Sequence, residues 1–186
     1  ISLGIVTLRD IYSFYKNSNT KFVIEGTGIS FNGVPTPQNY SDVDEVYQFP
    51  LDYGNRDSST FAVTTDLGGV ITYSQSGYRI NEAEGWGTVI TPYGTFNALK
   101  IKTTILERDT VKNSSIPFPV GFSRTTLEYK WLVNGEKIPV FQVSGNKTGN
   151  NFQPNQIRYR DKFIDSLNIK APTADFIADK TTCMVY

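Results

Sequence analysis

Thr95–Glu107 reads TFNALKIKTTILE, and its alternation decides the fold class. Phe96, then Ala98 or Leu99, then Ile101, Thr103 and Ile105 alternate with Asn97, Lys100, Lys102 and Thr104. A period of two sends successive side chains to opposite faces of a β-strand. The phase slips at Ala98-Leu99, which predicts a bulge there. Upstream, Gly85–Ile90 (GWGTVI) runs into Thr91-Pro92-Tyr93-Gly94, a turn in which Pro92 fixes one φ and Gly94 leaves another free. Downstream, Thr125–Val133 (TTLEYKWLV) alternates again, with Leu127, Tyr129, Trp131 and Val133 set toward a core and Glu128 and Lys130 away from it. Asn134-Gly135 then predicts a tight hairpin into Lys137–Ser144.

The same reading extends across the chain. Strands are expected over Lys21–Phe31, Glu45–Leu51, Thr60–Thr65, Val70–Ser76, Tyr78–Glu84 and Gln156–Phe163, with apolar Val70, then Tyr78 and Ile80, on alternating positions. Asp66–Gly69 (DLGG) marks a hairpin turn. Asn32–Asp44, Asp109–Ser123 and Gly145–Pro154 read as loops from their Pro, Gly, Asn and Ser content. Ile1–Tyr15 fits a strand or a short helix, because Ile5, Leu8, Ile11, Tyr12 and Tyr15 also match a helical period. About ten strands and no long helix predict an all-β protein, an antiparallel sandwich or a strongly curved, partly wrapped sheet with little helix. The composition agrees: aromatic residues make up 13 %, most of them Tyr and Phe.

Composition also excludes chemistry. There is no histidine, which removes the commonest general base and metal ligand. The lone cysteine, Cys183, permits no disulfide within the chain, no thiolate zinc site and no Cys–His nucleophile. Eighteen basic residues balance eighteen acidic ones, so the basic footprint of a nucleic-acid binder is missing. No apolar run reaches the roughly 18 residues of a membrane helix, so no membrane insertion is expected. Met184 is the only methionine, which reads as an amino terminus cut after a signal peptide or by choice of fragment.

Carboxylates are the remaining catalytic candidates. They cluster as Asp42, Asp44 and Glu45, as Glu82 and Glu84, and as Glu107 and Asp109. A glycosidase needs two carboxyl groups facing across a sugar site, and calcium needs oxygen ligands at a fixed spacing. Asp42-x-Asp44-Glu45 lacks the glycine and spacing of a calcium loop. Gly26 and Gly28 are followed by no Gly-Lys-Ser/Thr and make no phosphate loop. Hence no catalytic residue, no metal ligand and no cofactor is assigned, and the ligand-binding residues stay open. Tyr73, Tyr78, Trp86, Tyr93, Tyr129 and Trp131 are the candidates for a sugar-stacking platform. For Trp131, in clean alternation with Leu127 and Tyr129, a core position is expected; Trp86 and Tyr93 lie near turns.

Two stretches resemble known proteins. Ala171-Pro172-Thr173-Ala174-Asp175-Phe176, continued to Tyr186, resembles the opening strand of a polycystic-kidney-disease-type (PKD) domain. The body resembles the exported multi-domain surface proteins of Bacteroidetes that use type IX secretion. That resemblance lies in Val46–Gly54 (VYQFPLDYG), in Gly85–Phe96 (GWGTVITPYGTF), and in Tyr129-Lys130-Trp131 followed by Ile138-Pro139-Val140-Phe141. It implies a β fold and an extracellular or cell-surface location, with no established activity.

The expected organisation is a β domain over 1–168, then a linker and the truncated start of a PKD-like domain over 169–186. The expected role is a non-catalytic extracellular module for adhesion or glycan binding, its partners being neighbouring domains of the same polypeptide and glycan. A hydrophobic-ligand carrier and a carboxylate-dependent glycoside hydrolase are the alternatives. A carrier needs a deep apolar pocket, a glycan binder an exposed aromatic strip, and a hydrolase two facing acids in a cleft.

Overall fold

In the computed structural model, residues 8–67, 69, 71–113 and 118–162 are described. The expected boundary at 168 and the PKD-like segment lie outside them. Nine strands follow one another in simple antiparallel order: β1 (Leu8–Asn17), β2 (Lys21–Phe31), β3 (Val34–Gln48), β4 (Arg56–Leu67), β5 (Ile71–Thr91), β6 (Gly94–Asn113), β7 (Val120–Leu132), β8 (Phe141–Thr148) and β9 (Asn151–Tyr159). The chain is all-β and the sheet curls into a half-barrel. Among the described residues no helix is long and apolar enough to cross a membrane.

Several boundaries differ from the sequence reading. Ile11, Tyr12 and Tyr15 belong to strand β1, not to a helix. Asn32–Asp44 is mostly strand despite Pro35 and Pro37. These prolines pair opposite Ser30 and Gly28 of β2, and β3 has no second partner at their level. Their missing N–H groups therefore break no ladder. Ile71–Ser76, Tyr78–Glu84 and the Gly-Trp-Gly segment merge into one 21-residue strand, β5. The bulge falls on β5 between Ala83 and Gly85, not on β6 at Ala98-Leu99. Asn134-Gly135 does not close a two-residue hairpin. Trp131 pairs with Phe141, and the intervening segment buries Val140 completely. The turn itself forms, with the Glu136 amide donating to the Val133 carbonyl at 3.1 Å and Gly135 at a φ of 84°, but strand pairing resumes only at Phe141.

β3 is the hinge of the architecture. It pairs with β2 through Val34–Asn39 and again through Asp44–Gln48, but with β4 only at Tyr40↔Val63 and Asp42↔Ala62. Beyond Asp42 it leaves β4 and crosses the inner face of the sheet. Asn81 of β5 donates a hydrogen bond from Nδ2 to the Val46 carbonyl at 3.0 Å, although β4 separates the two strands in the sheet order. Lys130 of β7 lies 5.6 Å from the Tyr47 ring centroid. A flat sheet would set β3 and β7 roughly 19 Å apart, four strand spacings, so curling brings them together.

The register defines the two faces. Phe61, Val63, Thr65 and Leu67 are buried on β4, Ile101, Thr103 and Ile105 on β6, while Thr60, Thr64 and Asp66 point out. A small apolar cluster of Val46, Tyr47, Ala83 and Ile101, flanked by Phe22 and Leu132, closes one end. Gly77 occupies an inner-face position of β5 where a Cβ would sit 2.1 Å from the Leu106 carbonyl oxygen and 2.7 Å from the Phe61 ring. The phenyl group fills that space.

Candidate functional site

Buried ions interrupt the apolar inner face. Arg79 donates from Nε and Nη2 to the two carboxylate oxygens of Asp44, at 2.8 and 2.6 Å, with both side chains over nine-tenths buried. Its Nη1 makes no hydrogen bond and stands 3.8 Å from Glu128, which also pairs with Lys130. Burial pulls the guanidinium pKa down, but the hydrogen bonds and charge of Asp44 outweigh it, so the net shift is upward. This corrects the sequence reading of β7, and β5 follows the same rule. On β7, Lys130 is 7 % exposed while Tyr129 and Trp131 are half-buried on the opposite face. On β5, Arg79 and Asn81 are buried while Tyr78 is 42 % exposed. Hydrophobicity alternates in both strands, but the strand that covers the inner face, β3, brings Asp44 with it. A buried guanidinium with a bidentate carboxylate then becomes tolerable.

A second polar group lies further along the same face. Arg124 bonds Glu107 from Nε at 2.8 Å and Asp109 from Nη1 at 2.9 Å. Tyr73 donates its hydroxyl to Asp109 at 2.6 Å, and Gln75 donates to both acids. Burial and the bond to Asp109 push the Tyr73 pKa well up. The pair Glu107 and Asp109 is thus held by one arginine. Glu82 is bonded by Lys102, which lowers its pKa, and Glu84 pairs with Lys100. Asp42 accepts from Thr60, Asp44 is consumed by Arg79, and Glu45 is bonded by Lys21 and Gln48. Among the described residues no three acids converge as a metal site. Asp42 and Glu45 both line one outer groove, but Thr60 already bonds the first and Lys21 and Gln48 the second, and the other acids of the three clusters are ion-paired.

The six aromatic candidates do not form one platform. Tyr73 lies inside. Tyr129 and Trp131 share the outer face with Lys100, whose Nζ is 4.7 Å from one ring centroid and 5.7 Å from the other. Phe152 and Phe141 pack edge-on against them. Tyr78 is the shared lip of two open, polar outer grooves of about 650 and 770 Å³. Tyr93 stacks on Phe96 and lies under the Arg160 guanidinium, 4.0 Å away, which also pairs with Glu136.

Trp86 stands apart. The β4 ladder ends at Glu82 and the β7 ladder at Leu99, so residues 85–98 of β5 and β6 pair only with each other. They form a hairpin projecting beyond the sheet. The bulge after Ala83 shifts the phase, so Trp86, Thr88 and Ile90 continue the inner-face register past the rim. Trp86 and Ile90 are each 78 % exposed. The opposite face of the tip is braced by Tyr93, Phe96 and Arg160. Gly85 and Gly87 flank the indole without side chains of their own. Sequence reasoning singled out Trp86 but missed Ile90, and their four-residue spacing after a bulge was the only signal available. Comparison with known proteins returns no match: no family model fits the chain, and no characterised protein or solved structure is significantly similar to it.

Proposed function

We propose that this chain is a non-catalytic extracellular module of a larger secreted or cell-surface protein, and that it recognises glycan through the projecting β5–β6 hairpin. The observation that carries this reading is the indole of Trp86, 78 % exposed on a braced finger that no neighbouring strand covers. A flat apolar ring of this kind stacks on a sugar face, while Thr88, Asn97 and Thr95, exposed on the same side of the hairpin, supply polar groups for hydroxyls. The ion pairs buried within the inner face weigh against an apolar cargo. The engagement of every candidate acid by a cation or a hydroxyl weighs against hydrolysis.

A glycan-array screen of the purified domain tests the reading, with Trp86→Ala as the control. Saturable binding lost in the variant is the expected result. Absence of binding to any glycan, with the fold intact, would overturn it.

A further inference from the structure

We infer that the outer groove beside β7 binds an anionic polysaccharide, one that carries carboxylate or sulfate groups along its chain. The groove exists because a ladder ends. β8 pairs with β7 only as far as Asn146↔Thr126, and beyond that point it continues with β9 alone. Ser123, Arg124 and Thr125 of β7 therefore keep β6 on one side, and among the described residues no strand pairs on the other. The trough between them and Asn146–Gly149 has a volume of about 770 Å³.

The charges around this trough are sorted by face. In Glu107-Arg108-Asp109 the two acids point inward to Arg124, and Arg108 points outward. Among the described residues Glu107 is the one acid lining the groove, and Arg124 bonds both of its carboxylate oxygens, at 2.8 and 3.2 Å. Arg108 of β6 and Lys147 of β8 line the groove two strands apart, and among the described residues neither has an ion pair or a side-chain hydrogen bond. Glu82 bonds Lys102 and feels Lys147 only through space. Two uncompensated cations along one open trough draw an anionic chain toward it. Ser76, Ser123, Thr125 and Asn146 also line the groove and can donate to and accept from sugar hydroxyls. Tyr78, 42 % exposed, offers a ring at one lip for a sugar face. An acidic saccharide presents all three complements: anion, hydroxyls and a flat apolar face. A nucleic acid fits less well, because the chain has zero net charge and lacks the extended basic surface a duplex needs. The groove is separate from the Trp86 finger and does not rest on it.

Calorimetric titration of the purified chain with polygalacturonate, dextran sulfate, neutral dextran and duplex DNA tests the inference, with circular dichroism confirming the fold of each variant. Binding of at least one acidic polysaccharide and none of neutral dextran is expected. Polygalacturonate would mark carboxylate as the recognised group, and dextran sulfate would mark sulfate. Arg108→Glu and Lys147→Glu should each weaken binding about tenfold. Arg108→Lys keeps the cation and should retain most of it. Arg158→Glu makes the same charge change at an exposed position of β9 outside the groove and should leave binding nearly unchanged. No binding of either acidic polysaccharide, a loss from Arg158→Glu equal to that from the groove variants, or tighter binding of duplex DNA than of either polysaccharide would each overturn the inference. None of these outcomes turns on Trp86.

Discussion

The two ends of β5 break the inside–outside rule in opposite directions. Between Ile71 and Ala83 the strand buries Arg79 and Asn81; between Gly85 and Thr91 it exposes Trp86 and Ile90. Both segments present the same face of the same strand, since the bulge keeps Trp86 in phase with Ala83. What differs is the cover. β3 crosses the first segment and supplies Asp44 and the Val46 carbonyl as partners, whereas among the described residues no strand pairs over the second. Burial along this sheet is set by which strand folds over it, and the polar side chains beneath are tolerated because the covering strand satisfies them.

The comparison is broken most severely at Arg79. Arg79→Ala leaves Asp44 buried without its cation and should cost about 3–5 kcal/mol in chemical denaturation. Asp44→Leu combined with Arg79→Met should recover most of that loss, because an apolar pair of similar volume needs no charge compensation. Gly77→Ala comes next. Its Cβ meets the Leu106 carbonyl and the Phe61 ring, and a loss of roughly 1–3 kcal/mol in the same measurement is expected from overpacking.

A smaller effect accompanies alkaline pH. Burial, followed by the nearby charge of Asp44, pushes the Tyr40 pKa up to about 12. The unfolded chain releases this proton near pH 10. The contribution of Tyr40 is thus fully present below pH 10 and is lost as pH rises toward about 12. Urea midpoints should fall between about pH 10 and about 12, and Tyr40→Phe should flatten that slope. The smallest expected change is at the exposed end. Trp86→Ala should alter stability by no more than about 0.5 kcal/mol while abolishing glycan binding. A larger loss of stability would mean that the finger contributes to the core and would blur the contrast between the two ends of β5.

Local patterns carried most of the strand assignments. The alternation of Ile101, Thr103 and Ile105 gave the orientation of β6 correctly, and the Asp66–Gly69 turn is present, with Asp66 accepting from the Gly69 amide at 2.6 Å. Trp86 was legible as a candidate because Gly-Trp-Gly beside a turn is an unusual place for an indole. The orientation of β7 was not legible. Leu127 is buried as expected, yet Lys130 is buried too, and the aromatic residues flanking it lie on the half-covered outer face. A single strand cannot reveal that its charged face meets Glu128, Tyr47 and Arg79, residues that span β3 to β7.

The amino-acid sequence by itself determined the class of the fold, the approximate places of most strands and the absence of histidine or paired thiol chemistry. These come from period-two alternation, turn residues and composition, which act over a few positions. Only the tertiary structure decided which face is inside, where the bulge shifts the phase of β5, and that most of the acids are ion-pair partners. Those outcomes depend on β3 leaving β4 and folding across β5, a contact between residues some 35 positions apart. That contact buries Val46 and Tyr47 and satisfies the charge beneath them, and no local pattern displays either.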